Sequence, residues 1–450
     1  MPSTAAALRA QWKEPSDVFT VLLIVGGEVV RCALGAMSGG ILTPVTFSYG
    51  WAAFAISAIL SAAGENRLMP DSPLPTLLVI NLTSGYRRLN RSWTLGRLFQ
   101  TYEYWMAPEV RTCIQDLAIK IPDEERAALA PRDGVAGTGR SARGVKAPLC
   151  VAVYDWDVGP TGTTRPPNKA GRPGHDWVWS LGLGVSLIQL GISIIPFAMD
   201  DDWRILLVTA GGTVLAYLYG ALPQWRREKW GCRKNSAHKD VAITLGNGTQ
   251  HVVIIRGHVD GFDLEDLAGG QTHADGDDGE NRRARVLESE QATRALTVIF
   301  ALCWLALLVC STGIQTHTWY LLAIGGLGML HNLVVAGAPR RPDMLGVPIK
   351  LAAPYTHAGQ TAALSEPLPS VFAEAKVMWT LMELEIAYEG FGKALLKEFF
   401  PGEFRDWETA WWNYKVPNVE LRRTLLAQKK YEEYVKRKEK QLKVGSAQQG

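Results

Sequence analysis

VFTVLLIVGGEVVRCALGAM at residues 18–37 and ILTPVTFSYGWAAFAISAILSAA at residues 41–63 decide the fold class of this chain. Each is an apolar run of about 20 residues. At a rise of about 1.5 Å per residue, that length spans a hydrocarbon core of about 30 Å. Only Ser38-Gly39-Gly40 separates them. The pattern recurs at 177–199 with 203–222 and at 295–314 with 318–338. Six such runs in three tight pairs predict a membrane all-α protein with six transmembrane helices arranged as three hairpins.

The chain has 450 residues, 47% hydrophobic and 20% charged, with a net charge of +3. The average conceals two populations, because the runs are nearly free of charge and the intervening segments are strongly polar. The reading divides the chain into a lead (1–17), hairpins at 18–63, 177–222 and 295–338, long connections at 64–176 and 223–294, and a helical C-terminal region at 339–450. The first run exceeds the apolar core of a secretory signal and carries Glu28 and Arg31, so it reads as a retained span. The cysteines Cys32, Cys113, Cys150, Cys232, Cys303 and Cys310 form no C-x-x-C pair, which argues against a disulfide framework or zinc site. Neither cofactor nor metal is expected.

The turns Ser38-Gly39-Gly40, Asp200-Asp201-Asp202 and Gln315-Thr316-His317 contain no Lys or Arg. The long segments hold Arg87, Arg88, Arg91 and Arg97, then Arg226, Arg227 and Lys229, then Arg340 and Arg341. By the positive-inside rule both termini and both long connections are cytosolic, N-in/C-in, in a membrane whose identity as plasma membrane or endomembrane the span lengths do not resolve. Sequons at Asn81, Asn90 and Asn247 fall in segments placed inside, where they would stay unglycosylated.

Among the soluble segments, residues 77–81 and 149–154 read as strands, and residues 93–107 and 109–119 as amphipathic helices. Residues 241–245 and 251–256 flank Gly246-Asn247-Gly248-Thr249, an Asn-Gly hairpin signature. Isolated hairpins are marginal, so strands from both long connections are expected to pool into one small cytosolic α+β unit. Residues 129–147 and 268–290 read as disordered, and residues 158–174 as Pro/Gly-rich. Residues 371–399 read as a helix ended by Pro401-Gly402, and Trp407, Trp411, Trp412 and Tyr414 as a lipid-interface cluster. From Lys415 onward ten Lys/Arg face four acids, which suits a solvated helix or contact with anionic lipid. No nucleic-acid partner is expected.

Glu28 and Arg31, three residues apart, share a helix face inside the first run. A charge at a helix centre costs about 2.5–3.5 kcal/mol, so they are expected to pair, either as a structural ion pair or as a contact for an ion, proton or substrate. His331 and Asn332 in the last run read as interhelical hydrogen-bonding groups or a relay, and Gln189 likewise. The Gly-Gly pairs within the runs read as packing sites.

WKEPSDVFTVLLIVGGEVVR (12–31), NRSWTLGRLFQTYE (90–103) and EFRDWETAWWNYKVPNVELRR (403–423) resemble segments of uncharacterised multi-pass membrane proteins of filamentous fungi. That resemblance implies the membrane class and a eukaryotic setting, and no reaction, substrate or functional residue. The expected function is a membrane-anchored scaffold or regulator that acts through its cytosolic face on a protein partner. The alternative is a small-molecule or ion transporter or channel. A membrane-bound enzyme stands behind both, because no nucleophile, base or metal constellation is evident. A polar cavity reaching Glu28 would favour transport, and a dry bundle with an open cytosolic groove would favour partner binding.

Overall fold

A computed structural model describes residues 17–64, 67–120, 148–158, 169–234, 239–270, 290–314, 316–353, 369–413 and 418–447. Helix α1 (Asp17–Met37) forms as expected, but residues 41–49 are not helical. They run extended and are buried from residue 43 onward, and α2 (Gly50–Gly64) begins only after them. Pro44 supplies the reason. It offers no N–H to a helix and biases Thr43 away from helical backbone, while β-branched Thr43, Val45 and Thr46 favour extended chain. The expected helical span at 41–63 is therefore corrected to an extended stretch followed by a short helix.

The chain continues through β1 (Leu78–Asn81), β2 (Arg87–Leu89), α3 (Trp93–Gln100), α4 (Tyr102–Trp105), α5 (Pro108–Lys120) and β3 (Cys150–Trp156). Helices α6 (Trp177–Asp200), α7 (Arg204–Gly220) and α8 (Pro223–Lys229) follow, then β4 (Val241–Thr244), β5 (His251–Ile255) and α9 (Leu264–Ala268). Helices α10 (Glu290–Thr312) and α11 (Thr318–Gly337) complete the bundle. Among the described residues three helices, α6, α10 and α11, are long and apolar enough to cross a membrane. The α7–α8 pair, bent by 43°, makes a fourth if counted as one span.

The first turn does not lie where the charge pattern puts it. Lys229 Nζ donates to Ser38 O at 2.8 Å and to Ala36 O at 3.1 Å, and Arg340 Nη1 donates to Ala36 O at 2.9 Å. Those residues follow α7 and α11, so Ser38-Gly39-Gly40 sits at the end of the bundle that meets the sheet. A Cβ on Gly26 would lie 3.4 Å from Met329 Sδ, while Ala36 meets Arg340. Helix α1 therefore runs parallel to α11, with its Asp17 end pointing away from the sheet.

Helix α2 returns to the sheet end. Gly50 packs on the backbone of Gly26, Phe54 meets Tyr219 in the last turn of α7 at 5.3 Å between ring centroids, and the Leu68 and Met69 amides donate to Glu228. Residues 41–64 thus enter and leave the bundle at the same end. That geometry replaces the first of the three hairpins.

The strands form one sheet in the order β2-β1-β4-β5-β3-β6, where β6 is Ile349–Leu351, with β7 (Val371–Ala373) also pairing β3. The β4–β5 hairpin closes through Gly246 and Gly248, both at positive φ as its turn requires. Strands from both long connections pair as expected, β1 with β4 antiparallel and β3 with β5 parallel. The C-terminal region, expected to be wholly helical, adds β6 (Ile349–Leu351) and β7. The expected helix at 371–399 is β7, α12 (Val377–Ala387) and, after Gly390 at positive φ, α13 (Phe391–Phe399). Helices α14 (Asp406–Trp412) and α15 (Val419–Ala447) complete the chain.

Alternation along the strands buries two faces. Val79, Ile243 and Val253 join the core shared with the bundle, while Ile80, Ala242 and Ile254 join a second core with α12 to α15. Trp411 and Trp412 are buried in that second core, where their indoles donate to Arg422 O and Met378 Sδ. They do not form the expected lipid-interface cluster, and Tyr414 lies outside the described residues. Basic α15 packs on this same far face of the sheet through Leu426. The segments read as disordered fall mostly outside the described residues.

Candidate functional site

Residues 43–49 thread the bundle between helices that present small residues to them. A Cβ on Gly182 would lie 2.3 Å from Pro44 O, and one on Gly328 would lie 1.8 Å from Phe47 O. Gly212 accepts the Phe47 ring, Gly325 the Tyr49 ring and Gly220 the Thr43 side chain. One member of each Gly-Gly pair, Gly26, Gly212 and Gly325, therefore serves close packing, by admitting the backbone or an aromatic ring.

Extended backbone inside a helical bundle has no neighbouring strand to bond, so side chains take that role. Asn332 Oδ1 accepts the Thr46 amide at 3.2 Å while its Nδ2 donates to Thr46 O at 3.0 Å, pairing both backbone groups as a strand would. The Trp51 indole also donates to Thr46 O, at 2.9 Å. Gln189 Nε2 donates to Phe47 O and Ile324 O, both at 2.8 Å, and ties the segment to α11. His331 Nδ1 lies 3.1 Å from Thr46 Oγ1, which also reaches Gly328 O at 3.2 Å. Substituting Asn332 with Ala is expected to cost about 1–3 kcal/mol, because the buried Thr46 amide loses its only bonded acceptor among the described residues. Thermal unfolding in detergent, compared with Glu28→Gln as an exposed control, measures it.

The structure therefore brings His331, Asn332 and Gln189 together on the threaded segment. Glu28 and Arg31 are elsewhere. They pair at 3.7 Å on the outer face of α1, where the Glu28 side chain is 69% exposed. The segment itself, Thr46 above all, is the part of the site that sequence reading missed. Pro44 amid β-branched residues was the available signal.

Beneath the segment, at the sheet end, buried cations cap helix C-termini. Arg97 Nη2 donates to Ala336 O and Ala338 O at 2.9 Å, Lys229 holds Ala36 O and Ser38 O, and Arg340 pairs with Asp176 at 2.8 Å. Lys229 Nζ also lies 5.4 Å from the Trp93 and Trp230 rings. Burial, with Arg340 nearby, pulls the Arg97 pKa below the usual guanidinium value. Asp176 in turn caps α6 by accepting the Trp179 amide at 2.9 Å. The opposite end carries Asp202 bonded to Arg204 at 2.7 Å and Asp200 beside His317 at 3.3 Å.

A half-open cleft beside the turn of the segment is lined by Phe47, Ser48, Tyr49, Ala52, Trp304 and Ser311, among others, and its volume of about 10 Å³ has room for about one water. Among the described residues no group of three or more His, Cys, Asp and Glu could hold a metal ion. No family model, curated protein or solved structure matches the chain.

Proposed function

We propose that this chain is a multi-pass membrane protein in which residues 41–49 form a permeation element, closed in this conformation. Helices α1, α6, α7, α10 and α11 cross the bilayer, and residues 41–64 dip into it and return to the sheet side. One observation carries the reading: within the buried, non-helical residues 43–49, the backbone of Thr46 and Phe47 is bonded by the side chains of Asn332 and Gln189. Irregular backbone at membrane depth persists only where protein buries it or where it lines a cavity, and re-entrant segments and broken helices of channels and transporters are its usual setting. The basic layer at the sheet end and the acids Asp200, Asp201 and Asp202 at the other support a cytoplasmic sheet.

Two experiments test this. Tags on the two termini are expected on opposite faces of sealed vesicles, with only the C-terminal tag on the sheet's side, as read by protease protection. Tags on one face would restore the six-helix arrangement. Purified protein in liposomes is expected to conduct ions or small solutes faster than protein-free vesicles. The close packing of Gly182, Gly212 and Gly328 against the segment favours a second reading, an anchor that presents its cytosolic unit to a protein partner, and absence of any flux from folded protein would select it.

A further inference from the structure

We propose that the permeant solute is small, uncharged and hydrogen-bonding, and that Gln189 Oε1 is the acceptor that receives it; this rests on the permeation reading above. Charge is confined to the ends of the threaded path. Lys229, Arg97 and Arg340 lie where the segment leaves α1, and Asp202 lies at the far end. Between them the groups bonded to residues 43–48 are amides, hydroxyls, an imidazole, an indole and backbone carbonyls, with no ionised carboxylate, ammonium or guanidinium among the described residues.

That composition disfavours ions. A dehydrated cation needs a set of free oxygens, but Thr46 O already takes Asn332 and Trp51, and Phe47 O takes Gln189. The cationic layer at the entrance also repels cations, as a fixed Arg does in a water-selective pore. An anion meets no countercharge beside the segment.

Gln189 supplies the positive argument. Its amide orientation is fixed, because Nε2 faces two carbonyl acceptors and a flipped oxygen would oppose both. Oε1 is then left fully buried with no partner among the described residues. A buried acceptor without a donor is costly, so a donor on a bound solute would be favoured at this atom. Gly182, Ser186, Gln189 and Ser193 recur at helical spacing on the buried face of α6; Ser186 is bonded to Gly182 O and Tyr217 and Ser193 to Leu190 O, so Gln189 Oε1 is the unpartnered acceptor of this row.

The test uses the full chain in zwitterionic liposomes. Stopped-flow light scattering after osmotic steps follows glycerol and urea, and diffusion-potential dyes follow K⁺ and Cl⁻. Glycerol or urea is expected to cross faster than in protein-free vesicles while K⁺ and Cl⁻ do not. Gln189→Leu is expected to lower the uncharged flux by about tenfold, the effect of one lost hydrogen bond in the path. Should Gln189→Leu fail to fold, Gln189→Asn, which keeps the amide but withdraws it by one methylene, reads the same step. Flux of K⁺ or Cl⁻ overturns this inference and leaves the permeation reading standing, and unchanged uncharged flux in the folded Gln189 variant also overturns it. No flux of any probe overturns both.

Discussion

Gly328→Ala is expected to prevent assembly of the native bundle. The added Cβ would lie 1.8 Å from Phe47 O and 2.7 Å from Gln189 Nε2, and the first of these is backbone that cannot rotate away. Moving Phe47 O would break its bond to Gln189 and draw the threaded segment off Asn332, so the loss propagates through the site. The expected destabilisation exceeds about 4 kcal/mol, the range reserved for changes a core cannot absorb. Gly326→Ala, two residues away on the same helix, is the control. Outside its own helical turn no atom lies within 4 Å of its Cβ position, so it should be neutral or stabilise by up to about 1 kcal/mol through helix propensity. Yield of monodisperse protein and thermal unfolding in mild detergent compare the two, and equal behaviour would remove close backbone approach as the organising feature of the site.

The contrast between Gly328 and Gly326 shows what a sequence conveys about such a bundle. Apolar length marked the helices now seen at α6, α10 and α11, because hydropathy and rise per residue are local. The Asn-Gly turn and its flanking alternation marked the β4–β5 hairpin for the same reason. Residues 41–63 misled because an apolar average passes over Pro44, whose consequence is local but needs a bundle to shelter the resulting extended chain. His331 and Asn332 were visible as polar residues in an apolar run, but their partner Thr46 lies 285 and 286 residues away in sequence. Glu28 and Arg31 were the most conspicuous charges and lie outside the site, since α1 turns their face outward. The basic layer was visible only as a topology signal. That Arg97, Lys229 and Arg340 converge on the ends of α1 and α11 depends on tertiary packing.

Removing one member of that layer is expected to be nearly as damaging as crowding the threaded segment. Arg340 is buried, its side chain 2% exposed, and pairs with Asp176 at 2.8 Å while also holding Ala36 O at 2.9 Å. Arg340→Met keeps most of the aliphatic volume but strands the mostly buried Asp176 carboxylate and frees the end of α1 just before residues 41–49. Breaking a buried pair from one side costs about 3–5 kcal/mol, chiefly through the charge left behind. Adding Asp176→Asn to Arg340→Met should therefore restore much of the stability, because Asn is neutral and can still cap α6 at the Trp179 amide. Arg341→Met is the control, since its side chain is 71% exposed and its 3.6 Å pair with Asp343 is a surface contact of about 0–1 kcal/mol. Thermal unfolding of the three variants separates the possibilities. If Asp176→Asn gives no recovery, the bond from Arg340 to Ala36 O is the larger contribution, and the layer acts mainly by fixing the entrance of the threaded segment. If Arg340→Met matches Arg341→Met, the layer does not hold the two helix ends together.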